Sequence, residues 1–267
     1  MTYETLVVET SNAICTLRLN RPQARNAQSQ QMLDELDLAL SRAHADTSVR
    51  VVILAAEGDH FSAGHDLKEA QAKRAQFSVE ERWAYESQRY FDYSLRIWDF
   101  PKPTIASVQG ACVAGGFMIA NMCDLIICSD DAYFSDPVGH TLAAAATEVL
   151  IHPWVMGLRK SKEMLFTGQK IDAQEALRIG MVNKVVSKEQ LAAETWAMAE
   201  RIAAAPPFGL HLLKKSLNRT LDAQGLRVAL SAHFDTHQLS HVSNEFQAVR
   251  DKGLANAIQR NKTGESA

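Results

Sequence analysis

The sequence lacks the features that mark disulfide-rich, membrane-spanning and exported proteins. Among its 267 residues there are only four cysteines, and no two of them form a CxxC pair. They lie in apolar stretches, so we expect buried free thiols, as in a reducing cytoplasm. No apolar run reaches the roughly 18 residues that a membrane helix needs. Residues 1–12 contain acidic side chains and no apolar core, which is not the pattern of a signal peptide.

An excess of charge of one sign is missing as well. Lysine and arginine number 28 and aspartate and glutamate 31, which gives a formal charge of −3. Binding to nucleic acid or to an anionic membrane usually needs a strongly basic surface. We therefore expect neither partner, and predict a soluble, cytoplasmic protein with one large domain, or one domain and a smaller appendage.

The first 130 residues alternate strand and helix patterns. Leu6–Glu9 and Ile14–Asn20 are typical of two strands joined by a turn at Ser11-Asn12, and Ser29 can cap the helix that follows. The apolar run Val51–Ala55 indicates a strand buried on both faces. Because buried strands alternate with helices, we predict an α/β layered core. Further elements are predicted as a solvated helical stretch to Glu86, strands at Thr104–Val108 and Leu125–Ser129, and a helix at Phe117–Met122.

The pattern changes at Pro206-Pro207, since tandem prolines cannot continue a preceding helix. We therefore assign residues 1–205 to the core and residues 206–267 to a C-terminal helical region. The helices predicted in that region are Phe208–Thr220, Leu226–His241 and Asp251–Asn261.

Two strand ends carry small residues that expose backbone amides. In residues 61–69 the chain turns at small side chains, and Asp66 can cap the next helix. Further on, Gly115 and Gly116 precede a helix whose first turn has unpaired N–H groups and a partial positive charge. Such donors would stabilise a carbonyl oxygen that gains negative charge. For residues 61–69, a purely structural tight turn is the alternative interpretation.

These segments resemble the enoyl-CoA hydratase/isomerase (crotonase) superfamily, in order and spacing, over roughly residues 5–220. The resemblance implies a spiral of ββα units with a C-terminal helical region that builds homotrimers, often paired into homohexamers. It also implies an acyl-CoA thioester substrate and no separate cofactor or metal, because coenzyme A is part of the substrate. The matching motifs are Asn20-Arg21-Pro22 with Asn26-Ala27, Phe61–Glu69, Ala114-Gly115-Gly116 with Cys123-Asp124, Leu165–Gly168 with Ala173–Ala176, and Gly180–Val182.

Position by position, the resemblance assigns an oxyanion hole to the backbone N–H groups of His65 and Gly115. Two glutamates act on one water as acid and base in hydratases of this family. Their positions fall on Met118 and Val138, so both carboxylates are missing here. The positions that the resemblance assigns to substrate binding are Ala24, Arg25, Ala27, Ala63, Asp66, Leu67, Met118, Pro137, Val138 and His140.

Another side chain would therefore have to transfer protons. Asp136, His140 and Glu148 follow in the next segment, with His152 behind them. The alanine-rich run Thr141–Ile151 predicts a helix, which would place Glu148 and His152 one turn apart on one face. We select Glu148 as the catalytic acid or base, and a surface salt bridge is its alternative.

Three histidines, His233, His237 and His241, recur every four residues beside Asp235. Imidazoles at this spacing can share a metal ion. A polar seam at an oligomer interface is the alternative, and the resemblance favours it because the family needs no metal.

For the whole chain, hydration or isomerisation of an enoyl-CoA is the leading hypothesis. Thioester hydrolysis and a catalytically silent acyl-CoA-binding protein stay open.

Overall fold

Nine strands form two sheets within residues 3–144 and 146–256, which are the residues that the computed structural model describes. The six-stranded sheet has the order β1-β2-β3-β4-β6-β9, and the three-stranded sheet has the order β5-β7-β8. In the larger sheet β1 runs antiparallel to β2, and the later neighbours are parallel. The strands are β1 Leu6–Ser11, β2 Ile14–Leu19, β3 Val51–Ala56, β4 Thr104–Val108, β5 Ala111–Val113, β6 Leu125–Ser129, β7 Tyr133–Ser135, β8 Ile171–Asp172 and β9 Lys184–Val186.

The helices surround these sheets, and a π-helical turn at Ser87–Phe91 links the third helix to the fourth. Their bounds are α1 Gln30–Ala45, α2 Leu67–Arg74, α3 Val79–Glu86, α4 Asp92–Trp98, α5 Gly115–Asn121, α6 Val138–Thr141, α7 His152–Met156, α8 Leu158–Thr167, α9 Ala173–Arg178, α10 Leu191–Ala203, α11 Pro207–Ala223, α12 Leu226–Ser240 and α13 Asn244–Asp251. No described helix is both long enough and apolar enough to span a membrane.

A strand–strand–helix order recurs along the chain, as predicted. The units β1-β2-α1, β4-β5-α5 and β6-β7-α6 follow this order, and in the last two the strands enter different sheets. The last two units therefore connect the two sheets. Their helices, α5 and α6, begin just after strands of the smaller sheet, so loops and helix N-termini gather along that edge.

The third strand shows why its sequence is apolar throughout. Val52 and Leu54 face the main hydrophobic cluster, which also contains the apolar side chains of α1. Val51 and Ile53 point to the opposite side and pack with Leu191 of α10. Alternate side chains leave a strand on opposite faces, so a strand covered on both sides is apolar at every position. This confirms the prediction for Val51–Ala55.

Several local predictions need correction. The hairpin turn lies at Asn12-Ala13 rather than Ser11-Asn12, and both residues have positive φ angles, 48° and 65°. The predicted helix Thr141–Ile151 is wrong, because α6 ends at Thr141. The last predicted helix began at Asp251, where α13 in fact ends, and helical structure resumes only at Leu254, within the predicted range. Residues 257–261 of that prediction lie outside the described residues.

The charged stretch before Glu86 is helical and largely solvated, as predicted, but two of its charged side chains are buried. It folds into α2 and α3, and in these helices Arg74 and Glu86 are only 4% and 5% exposed. All four cysteines are buried free thiols, as expected. The fold therefore hides two charged side chains where the sequence pattern suggested a polar surface, and their partners define part of the site described next.

Candidate functional site

Two loops, the first containing Ala24–Ala27 and the second containing Ala63–Asp66, meet in front of helix α5. The amide of Ala63 donates to the Arg25 carbonyl at 2.9 Å, and the amide of Asp66 donates to the Gln28 carbonyl at 3.0 Å. Buried Asn26 ties the first loop to the end of β3, because its Nδ2 donates to the carbonyls of Glu57 and His60. The structure thus brings together the segments Ala24–Ala27 and Ala63–Asp66, to which the sequence assigned a binding role.

The second loop lies against the start of α5. Gly64 has a φ of +91°, and a Cβ there would lie 3.0 Å from the Val113 carbonyl oxygen and 3.3 Å from the amide nitrogen of Gly115. Ala114 adopts φ 49° and ψ −118°, a strained conformation for an alanine. Among the described residues, the amides of His65 and Gly115 have no hydrogen-bond partner. Both amides are therefore unpaired within the described part of the chain.

The side chain of His65 extends from this loop to Glu148. His65 Nε2 and Glu148 Oε1 share a hydrogen bond of 2.6 Å, and the two side chains are only 9% and 2% exposed. His65 also stacks on Tyr90, with ring centroids 4.0 Å apart. Burial raises the pKa of the Tyr90 hydroxyl well above its usual range. Glu148 is therefore a buried carboxyl group held by an imidazole, not a surface salt bridge.

The segment before α7 positions Glu148 without helical structure. Ala143 and Ala144 have φ angles of 49° and 67°, which breaks the run that we predicted as a helix. Val149 and Ile151 are fully buried and anchor the segment after Glu148. The carbonyl of Thr147, just before it, is within 2.6 Å of His233 Nε2. Glu148 and His152 consequently do not share a helical face.

Asp136 and His152 form a second buried pair. Their Oδ2 and Nε2 atoms lie 3.0 Å apart and both side chains are inaccessible to solvent, but the groups are not aligned for a hydrogen bond. The His152 ring stacks on Phe117 at 4.6 Å. Burial raises the pKa of Asp136, although His152 acts in the opposite direction. This pair is within electrostatic range of Glu148 and His65.

The other positions that the resemblance assigned to substrate binding differ from one another in burial and contacts. Met118 and Val138 are buried, at 0% and 4% exposure, where apolar side chains are stable. His140 is exposed and its Nε2 lies 2.6 Å from the Phe166 carbonyl, so it does not join the Glu148 group. Pro137 lies beside the turn that contains Gly168.

A small cavity of about 50 Å³ lies next to His65 and Glu148. A much larger cleft of about 650 Å³ lies between α1 and α2, beside Arg21 and Asp66, and it contains neither group of the His65–Glu148 pair. The buried ionisable groups line the small cavity, which makes it the candidate place for chemistry. The large cleft borders the two loops that the sequence assigned to substrate binding.

Two histidines of the predicted row, His237 and His241, also line this cavity. Glu86 Oε2 lies 2.9 Å from His237 Nε2, 3.1 Å from His241 Nε2 and 2.8 Å from the Gln238 amide that donates to it. Since His233 Nε2 lies 2.6 Å from the Thr147 carbonyl, each of the three histidines has a partner within the described part of the protomer, so none of these ring nitrogens depends on an oligomer interface for a partner. Glu86, His237 and His241 are close enough to share a cation, but the Glu86 carboxylate is already satisfied by hydrogen bonds.

Sequence reasoning missed Tyr90, Gln28 and Arg74. Gln28 is 2% exposed and neither atom of its amide group has a partner among the described residues. Its Oε1 would lie 2.9 Å from a Cβ at Gly115, so it borders the start of α5. No local signal distinguishes these side chains. Only the position of Gln28, directly after Asn26-Ala27, could have pointed to it.

Comparison with known proteins assigns the chain to a family. The profile of the enoyl-CoA hydratase/isomerase family matches residues 9–262. A Mycobacterium tuberculosis protein named "Putative enoyl-CoA hydratase EchA13" is 43% identical over 90% of this chain and 80% of that protein. The mitochondrial enoyl-CoA hydratase of Pongo abelii is 30% identical over 92% and 84% of the two chains.

A solved structure shows the same architecture. An enoyl-CoA hydratase/isomerase from Xanthobacter autotrophicus Py2 superposes with a TM-score of 0.90 at 34% identity, and covers 100% of both chains. The ββα spiral and the C-terminal helices are therefore those of the crotonase fold. From the family profile, the relatives and this structure together, the chain belongs to the enoyl-CoA hydratase/isomerase family of enzymes.

Proposed function

We propose that the protein binds a short-chain enoyl-CoA, polarises the thioester carbonyl with the amides of His65 and Gly115, and moves a proton with Glu148. Double-bond isomerisation suits this site best, because one carboxyl group can remove a proton from one carbon and return it to another. The observation that carries the proposal is the buried Glu148 carboxyl, 2.6 Å from His65 in the loop that also supplies the first amide.

The two amides support polarisation of the carbonyl. Both belong to residues at the meeting of the second loop and α5, and neither has a partner among the described residues. Two donors on a thioester oxygen would stabilise the enolate that forms when a proton leaves the α-carbon. Losing one donor of this kind typically costs about 2.7–4 kcal/mol of barrier.

The surroundings of Glu148 support its role as the proton carrier. The side chain is 2% exposed, so bulk water does not compete for its proton, and His65 is its hydrogen-bond partner. The imidazole orients the carboxyl group through the hydrogen bond of 2.6 Å between Nε2 and Oε1. Hydration in this family uses two carboxylates, and Met118 and Val138 supply neither.

Met118 and Val138 favour a second candidate function, in which the protein hydrates enoyl-CoA slowly or not at all. The His65 ring also lies close to Gly115, because a Cβ at Gly115 would meet His65 Cε1 at 2.8 Å. A thioester must fit beside this ring. A catalytically silent acyl-CoA-binding protein or a thioester hydrolase would be compatible with the same contacts.

The test compares the wild type with Glu148→Gln, and with Glu163→Gln as a matched control on an exposed carboxylate of α8. Three readouts separate the candidates: loss of the enoyl absorbance for hydration, exchange between 2-enoyl-CoA and 3-enoyl-CoA for isomerisation, and thiol release for hydrolysis. We expect isomerisation to fall by about 10²–10⁴-fold in Glu148→Gln, with binding of acyl-CoA little changed. A fully active Glu148→Gln enzyme would remove Glu148 from the mechanism.

A further inference from the structure

We propose that Arg74 binds a carboxylate at the distal end of the acyl group, so that the accepted thioesters are CoA monothioesters of short dicarboxylic acids. This inference rests on the proposed function, because it assumes that an acyl group enters the cavity beside Glu148. It adds the chemical class of the substrate, which the family assignment leaves open.

The first observation is a buried guanidinium without an anionic partner. Arg74 is 4% exposed and lines the same small cavity as His65 and Glu148. Its Nη1 donates to the Tyr85 hydroxyl at 3.2 Å, and its guanidinium lies 4.9 Å from the centre of the Tyr85 ring. No carboxylate of the described residues lies within ion-pair distance of it. Arginine is almost never buried unless it is paired.

The other charged groups of the cavity already compensate one another. Arg82 lies 3.4 Å from Glu86, which also accepts hydrogen bonds from His237 and Gln238. Glu148 is paired with His65. Among the described residues that line this cavity, Arg74 is therefore the charged group left for a ligand to balance.

Glu69, one turn before Arg74 on the same helix, does not fill this role. Its carboxylate lies 2.7 Å from Lys73 Nζ and accepts from the amide of Gln30 at 2.8 Å. These contacts hold it on the side of α2 that faces α1. Among the described residues, the guanidinium therefore donates to the Tyr85 hydroxyl alone, and its remaining N–H groups have no acceptor there.

The position of Arg74 fits the far end of an acyl group. His65 stacks on Tyr90, Tyr90 meets Tyr85 edge to face with ring centroids 5.7 Å apart, and Tyr85 carries the guanidinium on its ring. Two aromatic rings thus separate Arg74 from the imidazole beside the proposed reaction site. The cavity volume of about 50 Å³ favours a short chain.

A carboxylate matches these donors better than an alkyl end does. The planar guanidinium fork can form two parallel hydrogen bonds to a carboxylate. An alkyl chain would remove the remaining water from Arg74 and offer no acceptor in return, which is unfavourable. The same site should therefore discriminate between acyl groups that differ only at the end remote from the thioester.

The test uses saturated thioesters, which bind without isomerisation. Pentanoyl-CoA and glutaryl-CoA differ only by a terminal methyl in place of a carboxylate, and the methyl ester of glutaryl-CoA is a neutral analogue of similar size. Calorimetry on the full chain should show that glutaryl-CoA binds about ten- to a hundredfold more tightly than the two thioesters whose acyl end is uncharged. This difference is expected for a hydrogen-bonded charged group.

Variants then assign that preference to Arg74. Arg74→Met should abolish it while leaving pentanoyl-CoA binding unchanged, and Arg74→Lys, which keeps the charge without the fork, should retain part of it. Arg159→Met changes an exposed arginine of α8 and should have no effect. Equal binding of glutaryl-CoA and pentanoyl-CoA by the wild type would overturn this inference alone. If neither thioester binds, the proposed function fails instead.

Discussion

Replacing Glu86 by alanine should strongly destabilise the protein, because its carboxylate is the shared acceptor of a buried cluster. The side chain is 5% exposed, and Oε2 accepts from Gln238 at 2.8 Å and lies 2.9 and 3.1 Å from the Nε2 atoms of His237 and His241. Arg82 lies 3.4 Å from Oε1. The cluster joins α3 to α12 across a large sequence separation.

The magnitude follows from what the substitution leaves behind. Removing one partner of a buried ion pair costs about 3–5 kcal/mol, since the other charge stays buried without compensation. Each orphaned donor costs about 1–3 kcal/mol on its own, but the histidines can lose their protons and water can enter the space. We therefore expect the free energy of unfolding to fall by about 3–5 kcal/mol.

Urea unfolding at neutral pH measures this difference, and Glu175→Ala is the control. Glu175 is also in an ion-pair group, with Arg178 and Lys160, but at the surface, so little change is expected there. A loss below about 1 kcal/mol for Glu86→Ala would refute the reasoning, because it would place the cluster among weak surface interactions.

The pH dependence gives a second test of the same cluster. Burial alone raises the pKa of Glu86, but hydrogen bonds and charges from His237 and His241 outweigh it and hold the pKa well below its ordinary value. A lowered folded-state pKa stabilises the protein above the unfolded value of about 4.3, and this stabilisation is lost as the pH falls. The stability difference between wild type and Glu86→Ala should therefore shrink below that pH. A difference that stays constant would contradict the assignment.

Two further predictions concern the start of α5 and the C-terminal helices. Gly115→Ala places a methyl group 2.8 Å from His65 Cε1. Because small displacements of reacting groups can lower rates about a hundredfold, we expect a loss of about that size in the turnover of any accepted enoyl-CoA. Unchanged turnover in a folded variant would exclude the start of α5 as the site. Phe208, Leu213 and Leu217 of α11 are 72%, 62% and 68% exposed, and such an apolar face usually contacts a partner. Light scattering should therefore give a trimer or hexamer, and Leu213→Glu with Leu217→Glu should dissociate it; a monomeric wild type at micromolar concentration would contradict this prediction.

The elements that the sequence predicted well are those with a local cause. Leu125–Ser129 and Val51–Ala56 are strands because an apolar run of that length fits a strand covered on both faces. Ser29 and Asp66 cap helices because their side chains reach the amides of Met32 and Glu69. In each case the residues that determine the structure are neighbours along the chain.

The predictions that failed depend on distant partners. Alanine favours helices, yet Ala143 and Ala144 adopt positive φ angles between buried anchors, so tertiary packing overrides propensity there. Glu86 looked solvated because the side chains that contact its carboxylate, His237 and Gln238 of α12, lie 151 and 152 positions later in the chain. The contact between His65 and Glu148 spans 83 positions and has no periodic signal.

The proposed role of Glu148 would also account for a reactive carboxyl group in a chain that has Met118 and Val138 where the resemblance expects glutamates. The proposed donors are backbone amides, and their direction is set by the turn at Gly64 and the strained Ala114, whatever side chains stand at Met118 and Val138. The loop between α6 and α7 enters the same space independently of α5. A carboxyl group supplied by that loop can therefore replace one supplied by the helix without altering the polarisation of the carbonyl. On this argument, the backbone of the two loops determines which atom is activated, and the segment that contains Glu148 determines where the proton goes.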